Sequence, residues 1–144
     1  MVNRLVQGEY SNFRTLKTSL FNENVDSASI FYEKSNTKIE IYVDWASAIK
    51  CHRFEVYFEK GILVFEDSVI DQNQKLYRVD IDFNTETLSQ KNNLKKTYIE
   101  VTASQPLLNE CKHFLECITT RNNPITDTEE SIEVLKALKY SDER

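Results

Sequence analysis

At 144 residues with 40% apolar content, the chain is long enough for a single domain, spanning residues 1–144, that buries a core. A net charge of −5, with lysines and arginines scattered among the acids, leaves no basic stripe and argues against nucleic acid as a partner. No apolar run approaches the roughly 18 residues of a membrane span, and Met1 to Glu9 lacks a signal-peptide pattern, so the expected compartment is cytoplasmic with no membrane partner.

In chain order, residues 1–12 close an earlier element and turn at Gly8, and a strand pattern starts at Phe13. Phe13, Thr15, Lys17 and Ser19 share one side of it, and Arg14, Leu16, Thr18 and Leu20 the other. After a polar loop over 22–26, strands over 28–34 and 38–45 join across Ser35-Asn36-Thr37 as a hairpin. The second is the clearest strand, with Ile39, Ile41, Val43 and Trp45 alternating with Lys38, Glu40, Tyr42 and Asp44, which reads as half-buried. Strands over 53–59 and 62–67 follow, joined at Lys60-Gly61, where Gly61 can take a positive φ. The next strand, 76–83, places Tyr77, Val79, Ile81 and Phe83 on one face and Arg78, Asp80 and Asp82 on the other; a polar loop to Lys96 and a short strand over 97–102 complete the set.

Two helices end the chain, joined at Arg121-Asn122-Asn123-Pro124. Leu107, Leu108, Cys111, Phe114, Leu115 and Ile118 recur at spacings of three and four and form one apolar stripe, with Pro106 at the first helical position. Ile132, Leu135 and Leu138 form the second stripe, and two capping registers compete for its start: Thr126 with Glu129, and Asp127 with Glu130. Strands first and helices last predict an α+β fold: an open, mostly antiparallel sheet of six or seven strands with two C-terminal helices packed on one face. The face left over carries Tyr32, Tyr42, Tyr57, Leu63 and Phe65, and an aromatic face of that kind suits homo-oligomer formation through the sheet.

No catalytic or metal-binding constellation is legible. The two histidines, His52 and His113, have no second ligand at metal spacing. Three cysteines make no disulfide framework; Cys111 and Cys117 lie about 9 Å apart along one helix, too far to bridge, and all three read as buried, inert thiols. Only Gly8 and Gly61 occur, so no glycine-rich phosphate cradle is present. Asp80 with Asp82, and Glu55 with Glu59, read as the wet sides of strands. Lys50, His52 and Arg53 make one basic cluster, suited either to a phosphate or carboxylate or to pairing with neighbouring acids.

Two stretches carry a resemblance. The run from Pro106 through Cys111, His113 and Cys117 to Ile118, followed by Pro124-Ile125-Thr126-Asp127 and Ser131 to Leu135, resembles the carboxyl-terminal signature of the Gfo/Idh/MocA oxidoreductases, in particular their nucleotide-sugar 3-dehydrogenase branch. Trp45, Lys50, Arg53, Gly61 and Asp67 resemble a second run of that family, departing from it at Asp44, Ala48 and Phe58. The resemblance covers only the family's second half, the substrate-side and oligomerisation domain; the Rossmann domain with its glycine-rich turn and catalytic lysine has no counterpart here. It implies a truncated or split form of an NAD(P)-dependent sugar dehydrogenase, with UDP-sugars as a candidate substrate class, inactive alone. By the same resemblance Trp45, Lys50 and Arg53 are the candidate substrate-binding residues, no residue is catalytic, and NAD(P) belongs to a complete enzyme and is not bound by this chain. The alternative is a stand-alone homo-oligomerising or partner-binding module derived from such an enzyme, and a separately encoded Rossmann chain is a further candidate partner.

Overall fold

The computed structural model describes residues 2–21, 23–81, 94–102 and 104–142. The fold is α+β, and the described strands form two antiparallel sheets, of three and four strands, in place of the one large sheet expected. The chain divides into two compact units, Met1–Ala48 with Glu110–Arg144, and Ile49–Asn109.

The first unit opens with a short helix, α1 (Val2–Leu5), and a turn at Gly8 into strand β1 (Tyr10–Thr18). β2 (Ser27–Lys34) and β3 (Thr37–Asp44) complete a meander in the order β1-β2-β3. Ser35 and Asn36 form the two-residue turn between β2 and β3, both left-handed at φ 46° and 64° as a type I′ hairpin requires. A bulge between Ser11 and Arg14 breaks the register of β1, with Asn12 left-handed at φ 55° and its amide held to Glu33 at 2.7 Å. The extra residue turns Tyr10 to the same face as Phe13. An aromatic core follows: Phe13 stacks on Tyr32 at 5.1 Å, Tyr10 flanks both, and Tyr140 meets Phe13 at 5.7 Å. Thr15 and Lys17 share that face with Ile30, Ala28, Ile41 and Val43.

The helices are α2 (Pro106–Thr120) and α3 (Thr128–Asp142). Pro106 starts α2 as expected, and of the two capping registers for α3 the later one forms: Asp127 Oδ1 accepts the Glu130 N–H at 2.9 Å. α3 lies against β1, but by the side opposite to its apolar stripe. Glu130, Glu133, Ala137 and Ser141 turn inward, while Ile132, Leu135 and Leu138 are exposed. The reason is electrostatic and aromatic. Arg4 forks onto Glu130, Lys17 reaches Asp142 at 2.5 Å, and Tyr140 inserts beside Phe13. α2 buries no residue at all, so the expected pair of helices packed on one sheet face does not form. β3, expected half-buried, is an edge strand whose Ile41 and Val43 are exposed.

The second unit is a four-stranded meander, β4 (Arg53–Phe58), β5 (Gly61–Glu66), β6 (Leu76–Asp80) and β7 (Lys96–Tyr98). Glu59 and Lys60 turn between β4 and β5, and a 3₁₀ turn over Gln72–Gln74, capped by Asp71, precedes β6. Register puts Val64, Tyr77 and Tyr98 in one row across three strands, with Val64, Tyr77 and Ile81 buried and Tyr98 edge-on to Tyr77 at 5.7 Å. Gly61 opens β5 because of crowding: a Cβ there would lie 2.4 Å from the Val79 carbonyl oxygen. Phe54, Val56, Leu63 and Phe65 share the other face. Tyr57 pairs with Ile62 on the Val64 face, and Tyr32 and Tyr42 belong to the other sheet on opposite faces, so the single aromatic face expected from the sequence is not assembled. The tail of the 76–83 strand, Asp82 and Phe83, lies outside the described residues, as does most of the polar loop that follows.

Candidate functional site

The three residues implied to bind substrate are divided between the units. Trp45, directly after β3, is 90% exposed and anchored by its backbone, whose N–H donates to the Asp26 carbonyl at 2.8 Å. Lys50 precedes β4, and Arg53 is its first residue. The Arg53 guanidinium is engaged within its own sheet: Nε meets Glu55 at 2.6 Å and Nη2 donates to the Tyr77 hydroxyl at 3.4 Å. Glu55 also accepts from Tyr57. Of the two readings of the basic cluster, pairing with acids is what Arg53 shows.

A second charged group gathers around Asp67. Its N–H donates to the His52 carbonyl, and its carboxylate takes the Lys75 ammonium at 2.6 Å. The Lys75 hydrogen bond and charge hold the Asp67 carboxyl below its ordinary range, with His52 and Lys50 adding to the field. Asp142 is lowered in the same way by Lys17. In the aromatic core burial is the main cause that raises the Tyr32 phenol, with Tyr10 adding to it. The Tyr42 phenol is raised through its hydrogen bond to Asp44.

The first unit has a cleft of about 420 Å³ lined by Arg4, Gln7, Gly8, Lys34, Ile125, Glu130 and Glu133. Its charges are already partnered. Arg4 donates to both Glu130 oxygens, at 3.3 and 3.1 Å, and to the Ile125 carbonyl at 2.6 Å. Glu133 pairs with Lys136 at 3.0 Å. Lys34 is only 5% exposed, with its ammonium over the Tyr10 ring at 4.3 Å. The cleft is a polar seam that ties α1, β2 and α3 together.

Cys117 and His113 form a contact that the sequence reading passed over. Cys117 Sγ lies 3.5 Å from His113 Nε2, and the same nitrogen accepts the Ile125 N–H at 3.0 Å, which puts the proton of a neutral ring on Nδ1. The spacing of four on a helix was the available signal. Nor are the cysteines buried: Cys51 and Cys111 are exposed and Cys117 is intermediate. Among the described residues no three histidine, cysteine or acidic side chains are grouped to hold a metal ion.

Gly8 and Gly61 each open a strand region and neither opens a helix, and the amino end of α3 is taken by the Asp127 carboxylate, where a pyrophosphate would need free N–H groups. On α2, Leu107, Leu108, Phe114, Leu115 and Ile118 are exposed. Comparison with protein-family models, with curated proteins and with solved structures finds no match for this chain.

Proposed function

We infer that the chain is an assembly module, derived from the substrate-side and oligomerisation half of an NAD(P)-dependent sugar dehydrogenase and without dehydrogenase activity by itself. The observation that carries this reading is a helix of 15 residues with none buried, although its apolar side chains lie on one stripe. An amphipathic helix this short draws its stability from packing, and a stripe without a cover marks an interaction surface. The exposed Ile41 and Val43 on the sheet add to the same supply of apolar surface.

Hydride transfer needs a nicotinamide held against the substrate carbon and a base near its hydroxyl, and the side chains described above provide neither. Sedimentation of the purified chain over a range of concentrations, together with an NADH titration, tests the reading. Assemblies larger than one chain and no NADH saturation in the micromolar range are expected. Micromolar NADH affinity removes the inactive-alone part, and a monomer at every concentration removes the assembly part. Mixing the chain with a candidate Rossmann chain and assaying NAD reduction with UDP-sugars tests whether it completes an enzyme.

A further inference from the structure

Among the described residues β3 pairs with β2 on one side only, and of the two edge strands of its sheet it is the regular one. Its register with β2 runs unbroken from Thr37 to Asp44, whereas β1 is shifted at its bulge. The two-residue turn at Ser35-Asn36 makes Lys34 and Thr37 a hydrogen-bonded pair, so the odd-numbered residues of β3 aim their N–H and C=O groups at β2. Trp45 continues the series, with its N–H on the Asp26 carbonyl. The backbone groups of Lys38, Glu40, Tyr42 and Asp44 therefore point away from β2, along an edge able to take a further strand.

The side chains on that edge select a second β3. An antiparallel copy must set outward-pointing residues against outward-pointing residues, so its two-fold axis falls on a single residue of the strand. With the axis at Ile41, Lys38 of each copy lies opposite Asp44 of the other, Glu40 opposite Tyr42, and Ile39 opposite Val43. All the outward residues are then paired, with opposite charges at both ends, and Ile41 meets itself in a non-hydrogen-bonded pair, the closer of the two kinds. Neighbouring registers are worse. An axis at Glu40 sets Glu40 against itself, an axis at Tyr42 sets Glu40 against Asp44, and an axis at Ile39 overlaps only Thr37 to Ile41. The Asp44 carboxylate is fixed beside the strand end by the Tyr42 hydroxyl at 2.9 Å and the Ala46 N–H at 2.7 Å, with acceptor capacity left for an ammonium. Ile41 and Val43, exposed in the single chain, gain apolar neighbours from the second copy. The charges that turn away a strand of other sequence thus accept this one.

We propose that two copies of this chain join their β3 edges antiparallel about a two-fold axis at Ile41, making one six-stranded sheet from two three-stranded ones. This rests on the assembly reading above and names a contact for it. Sedimentation of the full chain and of two charge variants tests it, with circular dichroism to show that each stays folded. Lys38→Asp brings carboxylates face to face at both ends and Asp44→Lys does the same with ammonium groups, and each is expected to raise the dimer dissociation constant about tenfold or more. Mixed in equal amounts, the two variants restore opposite charges at both ends and the dimer returns, a rescue that loss of fold would not give. A second readout changes no charge. In a Cys51→Ser, Cys111→Ser background, Ile41→Cys is expected to form a disulfide-linked dimer in oxidised glutathione, because the substituted position meets itself on the axis. Val43→Cys, which faces Ile39 and not its own counterpart, stays unlinked. If the chain self-associates but the charge variants bind as the parent does and Ile41→Cys stays unlinked, the β3 contact is wrong while assembly stands. If the chain is monomeric at every concentration, both fail.

Discussion

Gly61 shows how one missing side chain sets a sheet. The strand partner comes so close that a Cβ would sit 2.4 Å from a backbone oxygen, and backbone cannot swing aside as a long side chain can. Gly61→Ala is expected to lower stability by about 1–3 kcal/mol in urea unfolding, through displacement of β6 from β5. Gly8 faces the Ser35 hydroxymethyl instead, which can rotate, though its φ of 115° keeps the position costly for other residues. Asp67 acts through charge. Its carboxyl is held low in the folded chain, so the ion pair with Lys75 contributes stability above the ordinary carboxylate range, and that contribution is lost as pH falls through the folded value. Asp67→Asn is therefore expected to flatten the acid limb of a stability-versus-pH curve while leaving the shape of the alkaline limb unchanged.

Each element has its own logic, and the two caps competing at α3 resolve at this scale. Asp127 accepts the Glu130 N–H, and Ser131 Oγ donates to the Asp127 carbonyl, so the helix starts one residue later than a Thr126 cap would set it. Asp127→Ala is expected to cost about 1 kcal/mol and Thr126→Ala close to nothing, measured by thermal or urea unfolding. Most strands were legible in the sequence because alternation is a local property: β2, β3, β4 and β5 fall within a residue or so of the patterns read from it. The Asn12 bulge was not, since a left-handed asparagine inside a strand leaves the composition unchanged while it reverses which side chains face inward. The direction in which α3 docks was hidden for a related reason. Periodicity finds an apolar stripe but not what it meets, and here Arg4, Lys17 and Phe13, more than a hundred residues earlier, select the charged side of the helix.

At the scale of the whole molecule, strands and helices in the expected order still produced two sheets where one was expected. Sequence patterns give each strand's face, while the partition depends on which strands exchange hydrogen bonds, and the residues between β3 and β4 make no ladder that would join the sheets. The candidate site was less legible than the fold. Trp45, Lys50 and Arg53 were singled out by resemblance, yet Arg53 is committed to Glu55 and Tyr77, and α2, whose stripe was expected to pack on the sheet, buries none of its residues.

Among the described residues, two small sheets also leave four strand edges without a ladder partner, each a potential template for a stray strand from another molecule. Every one carries a different deterrent. β1 is kinked by its bulge, β3 alternates Lys38, Glu40 and Asp44 along its length, β4 begins with the Arg53–Glu55 ion pair, and β7 is only three residues long. With each edge guarded in its own way, the two sheets resist the fibre-like growth that bare strand edges invite.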